Sequence, residues 1–396
     1  MKLIFLSTED STFWSHRLGL ARKLRDAGVD VVIMIRAGEH CSRLKKEGFR
    51  IIPWSISRRS LNPFMEFRSF LQVVSVYREE HPDMVHHIAL KPIVYGSLAA
   101  AGLGGIPAMN TVTGLGPVFV RRNVTNRMLR SALVKVLRVC FRAKGSRVVV
   151  QNEDDRELLT GAKIASAEKT SVIAGFGVNT EHFVPSPEPD GEFVVMLPAR
   201  MLWEKGVGEF VEAGQELHSW CQSVRMVLVG GPDPNNPGCI PERRLREWVA
   251  SGSVEWWGHQ EDMRSVLGRS HLVCLPSYRE GLPKVLLEAG ACERAVVTTD
   301  VAGCREVVRD EVNGLLVPSR DSKALAGAIR RLLGDSKLRK KLAAAGRQRA
   351  EREFSSEIIL ASTLDLYREV LGSRWPVRPG ADEGASTTAA RVFTEV

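Results

Sequence analysis

Residues 185 to 191 read Pro185-Ser186-Pro187-Glu188-Pro189-Asp190-Gly191. Three prolines in five residues remove ladder donors and clash with a helical path, so neither a strand nor a helix interior crosses this stretch. A break here divides the 396 residues into two parts, each long enough to bury a full core. On both sides short apolar runs alternate with helical periods. Residues 2–6, 29–35, 49–53, 85–88, 108–112 and 147–150 read as strands, with an amphipathic helix over 15–27. Past the break, 193–197 and 272–276 read as buried strands. The pattern predicts an α/β chain with a first domain over 1–187 and a second over 188–355. A last helix is expected over 356–371, within a segment 356–375, and a Gly, Ala, Ser and Thr-rich tail over 376–396 reads as disordered.

Composition is that of a globular protein, 44% hydrophobic and 26% charged. Seven scattered cysteines without C-x2-C spacing point to neither a disulfide framework nor a zinc site, which fits a reducing cytoplasm. The opening Met1-Lys2-Leu3-Ile4-Phe5-Leu6 meets Glu9 and Asp10 at once and reads as a first strand, not a signal segment. Residues 92–120 lack charge but hold six glycines and three prolines, so they read as buried strands, turns and a cleft loop instead of a membrane span.

Charge is unevenly divided. Residues 1–187 hold 27 Lys and Arg against 16 Asp and Glu, whereas the rest hold 28 against 30. Nine cations and no acid lie between Arg121 and Arg147, interleaved with Met128, Leu129, Leu133, Val134, Val136, Leu137, Val139 and Phe141. This is the sequence of a basic amphipathic helix, in which Arg127, Arg130, Lys135 and Arg138 are candidates for docking on an anionic membrane surface. A solvated face over a core stripe produces the same pattern. A nucleic-acid partner is not expected, since no RNP-like or zinc-finger motif accompanies the charge.

Chemistry concentrates in two motifs. Glu280-Gly281-Leu282-Pro283-Lys284-Val285-Leu286-Leu287-Glu288 follows a buried strand and opens a helix near residue 282, whose free N–H groups suit an anion such as phosphate. Glu280 on the loop and Glu288 two turns in can grip separate parts of one ligand. Upstream, Arg200-Met201-Leu202-Trp203-Glu204-Lys205-Gly206 places two cations five residues apart on a strand-to-helix loop, where they can converge on one diphosphate.

The E-x7-E and R-x4-K-G elements resemble those of the retaining glycosyltransferases of family 4, which have the GT-B fold of two Rossmann-like domains facing a cleft. Met226-Val227-Leu228-Val229-Gly230-Gly231, Val254-Glu255-Trp256-Trp257-Gly258-His259 and Asn313-Gly314-Leu315-Leu316-Val317 follow in the family's order. The resemblance implies that Glu280, Gly281 and Leu282 hold the donor sugar, that Glu288 holds ribose hydroxyls, and that Arg200 and Lys205 neutralise the leaving nucleoside diphosphate. It implies no metal and no cofactor, and a UDP-linked hexose or N-acetylhexosamine as donor.

The segments His86-His87-Ile88-Ala89-Leu90-Lys91-Pro92 and Asn110-Thr111-Val112-Thr113-Gly114-Leu115-Gly116 resemble a bacterial subgroup that glycosylates polyprenyl-diphosphate-linked sugars at the inner membrane face. By that likeness His16, His86, His87, Lys91, Thr113, Gly114 and Gly116 are acceptor-cleft candidates. The chain departs from the family at Thr113, where many members carry a histidine that contacts the donor. A GT-B-like nucleotide-sugar epimerase or a non-catalytic transferase subunit remains an alternative; retained Arg200, Lys205, Glu280 and Glu288 argue against the second.

Overall fold

A computed structural model describes residues 1–57, 62–114, 124–220, 223–234 and 236–376, with backbone alone over 124–129. The chain forms two compact units, Met1–Phe176 with the chain from Ile359 onward, and Gly177–Ile358.

The first unit is built on seven parallel strands: β1 (Lys2–Ser7), β2 (Asp30–Ile35), β3 (Arg50–Pro53), β4 (Met84–Ile88), β5 (Ala108–Thr111), β6 (Ser146–Val150) and β7 (Thr170–Val172). Their order in space is β3-β2-β1-β4-β5-β6-β7. Helices cover both faces, so the strands are continuous apolar runs, and Leu3, Ile4, Phe5 and Leu6 are all fully buried. The helix expected over 15–27 is two helices, Asp10–His16 and Leu18–Asp26, broken at the buried Arg17. Residues 92–102, expected as strand and turn, belong to the helix Leu90–Gly102. Pro92 sits in its first turn, where a missing N–H is harmless. The segment is charge-free because it packs between the helices Pro63–Glu80 and Val124–Arg142.

The second unit holds β8 (Phe193–Pro198), β9 (Val224–Val229), β10 (Glu255–Trp256), β11 (Leu272–Leu275), β12 (Ala295–Thr299) and β13 (Leu315–Val317), ordered β10-β9-β8-β11-β12-β13 and again all parallel. Val195, Leu197, Leu228, Cys274, Val297 and Ile329 are among the residues of its main core. Among the described residues no helix is long and apolar enough to cross a membrane.

The proline-rich segment lies inside the second unit, and the division falls at Gly177 instead of after residue 187. The buried Arg294 donates to the carbonyls of Ser186 (2.8 Å) and Pro187 (3.0 Å), and Arg339 pairs with Glu188 at 2.8 Å. Side chains thus satisfy backbone that prolines keep out of regular structure. The C-terminal helix Ser356–Leu371 contributes Tyr367 to the first unit, and its tail past residue 376 lies outside the described residues.

His86 and His87 are core residues of β4, which removes them as acceptor-cleft candidates. Both rings are fully buried with both nitrogens partnered: His86 with Tyr367 (2.6 Å) and Thr111 (2.7 Å), His87 with Asn110 (2.7 Å) and Tyr77 (3.1 Å). Alternation along a strand faces the two side chains to opposite sides of the sheet, and here both sides are interior. Burial holds His86 well below its ordinary value, with Arg17 adding to the effect, and brings His87 from 6.5 to about 4. Between those values the unfolded chain binds a proton that the folded chain does not, so stability is full above pH 6.5 and is lost as pH falls toward 4. Urea unfolding monitored by fluorescence should show this acid-side loss, and His87→Gln should reduce its slope by about one proton. A flat midpoint across the window would contradict the assignment.

Candidate functional site

In the second sheet the chain runs outward from β8 through β9 to β10, then returns to lay β11 on the other side of β8. The loops leaving β8 and β11 therefore diverge at the carboxyl edge, the place where open parallel sheets bind ligands. Arg200 and Lys205 lie on the first loop, and Glu280, Gly281 and Leu282 on the second.

Close backbone approach joins these loops. Gly206 has φ +71°, and a Cβ there would lie 2.1 Å from the Pro276 carbonyl oxygen, so only glycine lets the turn after Lys205 seat against the end of β11. At Gly303, φ +78°, a Cβ would lie 2.5 Å from the Gly281 carbonyl oxygen. The turn after β12 therefore buttresses the Glu280 loop from the other side. The Tyr278 N–H donates to the Glu204 carbonyl at 2.9 Å, and Glu280 N–H to that of Ala302 at 3.4 Å.

The side chains then meet. Lys205 Nζ is 2.5 Å from Glu280 Oε1, which also accepts from Ser277 Oγ at 2.6 Å. Arg200 is half exposed and pairs with Asp233 at 2.7 Å. Glu288 is buried on the helix Lys284–Ala291, 2.8 Å from Lys284, and burial raises its carboxyl above the usual range while Lys284 partly offsets this. That helix starts at Lys284 with Pro283 as its N-cap, two residues later than expected, and no side chain caps it. Leu282 is buried beneath the loop. Past β9, Gly230 N–H donates to the Gly258 carbonyl at 2.7 Å, which brings the loop after the two-residue β10 to the same edge. All six donor-site candidates thus belong to one unit.

Asp233 and Ser277 were not singled out from sequence. A readable signal exists for each: an acid just past the glycine turn after β9, and a hydroxyl three residues before Glu280.

The remaining acceptor candidates lie in the first unit. His16 ends its helix with its ring stacked on Phe176, centroids 4.0 Å apart. Thr113 and Gly114 are half-buried just past β5, with Gly114 at φ +141°, and Gly116 lies outside the described residues. Lys91 is engaged with Glu66 at 2.9 Å and with the Ser57 carbonyl at 2.8 Å. On the helix Val124–Arg142, Arg130 and Lys135 are exposed, and Arg138 donates to the Ala162 carbonyl at 2.9 Å. The Arg127 side chain is outside the described residues. Leu133, Val134, Val136 and Leu137 pack on the core, so the helix's apolar stripe serves the fold.

Comparison with known proteins matches this architecture to one family. The model described as "Glycosyl transferases group 1" matches residues 192–335, and "Glycosyl transferase 4-like" matches residues 2–150. The N,N'-diacetylbacillosaminyl-diphospho-undecaprenol alpha-1,3-N-acetylgalactosaminyltransferase of Campylobacter jejuni is 29% identical over 384 residues, covering 94% of this chain and 99% of that protein. The capsular polysaccharide biosynthesis glycosyltransferase CapM of Staphylococcus aureus is 24% identical, covering 88% of this chain and 92% of its own. Among solved structures, Anabaena Alr3699/HepE in complex with UDP and glucose superposes with a TM-score of 0.76 at 20% identity, covering 93% of this chain and 99% of that one. The glycosyltransferase WaaG gives a TM-score of 0.70 at 14% identity, with coverages of 92% and 99%. The chain belongs to the group 1, family 4-like glycosyltransferases and has their GT-B fold.

Proposed function

We propose that this glycosyltransferase moves a sugar, with retention of configuration, from a UDP-linked donor to a polyprenyl-diphosphate-linked saccharide in bacterial glycan assembly. The observation that carries the reading is the pairing of Lys205 with Glu280 at the switch point between β8 and β11, with Arg200 on the same loop as Lys205. The undecaprenol-linked substrate in the name of the Campylobacter relative supports the acceptor class.

Bond breaking leaves two developing charges, negative on the departing diphosphate and positive on the sugar ring. Arg200 forks across phosphate oxygens, Lys205 supplies a point charge, and the uncapped N-terminus of the Lys284 helix adds partial positive charge. Glu280 orients the sugar and faces the ring's positive charge, while Glu288 accepts from ribose hydroxyls. The acceptor hydroxyl attacks the face that the diphosphate vacates. With two cations to neutralise the leaving group, the reaction needs neither a metal nor another cofactor. The protein works at the cytoplasmic face of the membrane as a peripheral enzyme, where its acceptor is embedded.

Both cations of the site are paired within the protein, Arg200 with Asp233 and Lys205 with Glu280. Diphosphate binding therefore competes with two protein carboxylates, which sets how readily UDP leaves.

Labelled UDP-sugars incubated with and without polyprenyl-diphosphate-sugar should pass label to the lipid with one donor, in excess EDTA, and nuclear magnetic resonance should show the donor's anomeric configuration in the product. Consumption of donor without acceptor would point to an epimerase. Glu280→Ala should lower turnover by about 10²–10³ while UDP still binds, and Arg200→Ala should weaken UDP binding as well. Asp233→Asn frees Arg200 from a half-exposed pair and should tighten UDP binding by up to about fivefold in calorimetry. Equal or weaker affinity would refute the competition.

A further inference from the structure

On the helix Pro63–Glu80 four large apolar side chains stand in solvent: Phe64 is 87% exposed, Met65 54%, Phe67 60% and Leu71 48%. Phe64, Phe67 and Leu71 follow a spacing of three and four, so they share one stripe, with Arg68 exposed beside them. The opposite side of the helix is firmly seated through buried Ser69, Val73, Val76 and Tyr77, and Trp54 donates to the Ser69 carbonyl at 3.1 Å. A well-anchored helix that presents two phenylalanines outward needs a partner for them.

Charge near the stripe is mainly positive, the exposed acids of this face being Glu79 at the far end of the helix and those of the helix Glu153–Gly161. No Asp or Glu occurs between residues 84 and 152, and Glu66, the acid nearest the stripe, is turned to Lys91 and Tyr95. The steps β3 to β4, β4 to β5 and β5 to β6 all run the same way along the sheet, so right-handed crossovers place Pro63–Glu80, Leu90–Gly102 and Val124–Arg142 side by side on one face. Their N-termini lie together at the carboxyl edge, where exposed Arg130 adds to Arg68, and exposed Lys135 lies further along the same helix as Arg130.

We propose that this face docks the protein on an anionic lipid layer, with Phe64, Met65, Phe67 and Leu71 entering the headgroup and acyl boundary and Arg68, Arg130 and Lys135 meeting lipid phosphates. Of the basic candidates read from sequence, the Val124–Arg142 helix supplies chiefly charge, because Leu133, Val134, Val136, Leu137 and Phe141 pack on the core. A second copy of the chain is a poorer occupant, since a two-fold contact would set this cation-rich face against itself. The inference rests on the lipid-linked acceptor proposed above, but its readout does not.

The full chain should co-sediment with phosphatidylglycerol vesicles and more weakly with phosphatidylcholine vesicles. Phe64→Ser with Phe67→Ser should lower partitioning to both by at least about tenfold, with near-ultraviolet dichroism unchanged because both rings are exposed. Arg130→Ser with Lys135→Ser should lose about tenfold on phosphatidylglycerol and nothing on phosphatidylcholine. Unaltered partitioning of the phenylalanine variant, or no vesicle binding by the parent, overturns the proposal. So does a parent dimer in sedimentation velocity that the phenylalanine variant dissociates. With a short-chain, water-soluble acceptor the phenylalanine variant should transfer sugar as the parent does. Absence of transfer by both would count against the acceptor reading and leave the vesicle result standing.

Discussion

The ion pair between Lys205 and Glu280 joins residues 75 apart in sequence at 2.5 Å, and the donor site is organised around it. The pair is possible only because β11 lies beside β8 and because Gly206 and Gly303 let three loop backbones come within van der Waals contact. Ser277 adds a hydrogen bond to the same carboxylate oxygen, and Thr299 in turn donates to the Ser277 carbonyl at 2.5 Å. The carboxylate is therefore held by groups from the ends of three neighbouring strands. Its position is set by the sheet and not by its own loop, which is what a group aimed at a reacting centre requires.

Electrostatics explain how the site holds its two cations. Two cations on one short loop repel one another, and each here has a carboxylate at hydrogen-bond distance. Because Arg200 is half exposed and Lys205 mostly buried, the first pair opens at little cost, whereas opening the second leaves a mostly buried charge unpaired. The easily broken pair lies on the side that opens to solvent. The same economy appears in the first unit, where His86 and His87 are neutral, buried and fully hydrogen-bonded, and so link Tyr77, Asn110, Thr111 and Tyr367 into the core without a charge.

Much of this was legible along the chain. The strand periods, the order of motifs and the pairing of R-x4-K with E-x7-E are local patterns, because the backbone repeats of 2 and 3.6 residues write themselves into sequence. Errors arose where tertiary packing overrode local signals. Leu90–Gly102 is glycine- and proline-bearing yet helical, since its neighbours on both sides accept small side chains. The proline-rich stretch was expected to separate domains, but Arg294 and Arg339 bind it to the second unit from far along the chain. His86 and His87 read as polar candidates because a sequence does not show what lies on each side of a strand.

By itself the sequence determined the α/β class, the family likeness and the six candidate residues for a donor site, all properties of short segments and their order. Only the tertiary structure decided which charges meet, where the domain division falls, and which histidines are interior. It also decided that Phe64, Met65, Phe67 and Leu71 of Pro63–Glu80 stand exposed, while Leu133, Val134, Val136 and Leu137 of the more conspicuous basic helix pack on the core. The physical reason is the same in each case. Burial and pairing depend on neighbours that are distant in sequence, and a side chain's chemistry is shared between what it is and what the fold places beside it.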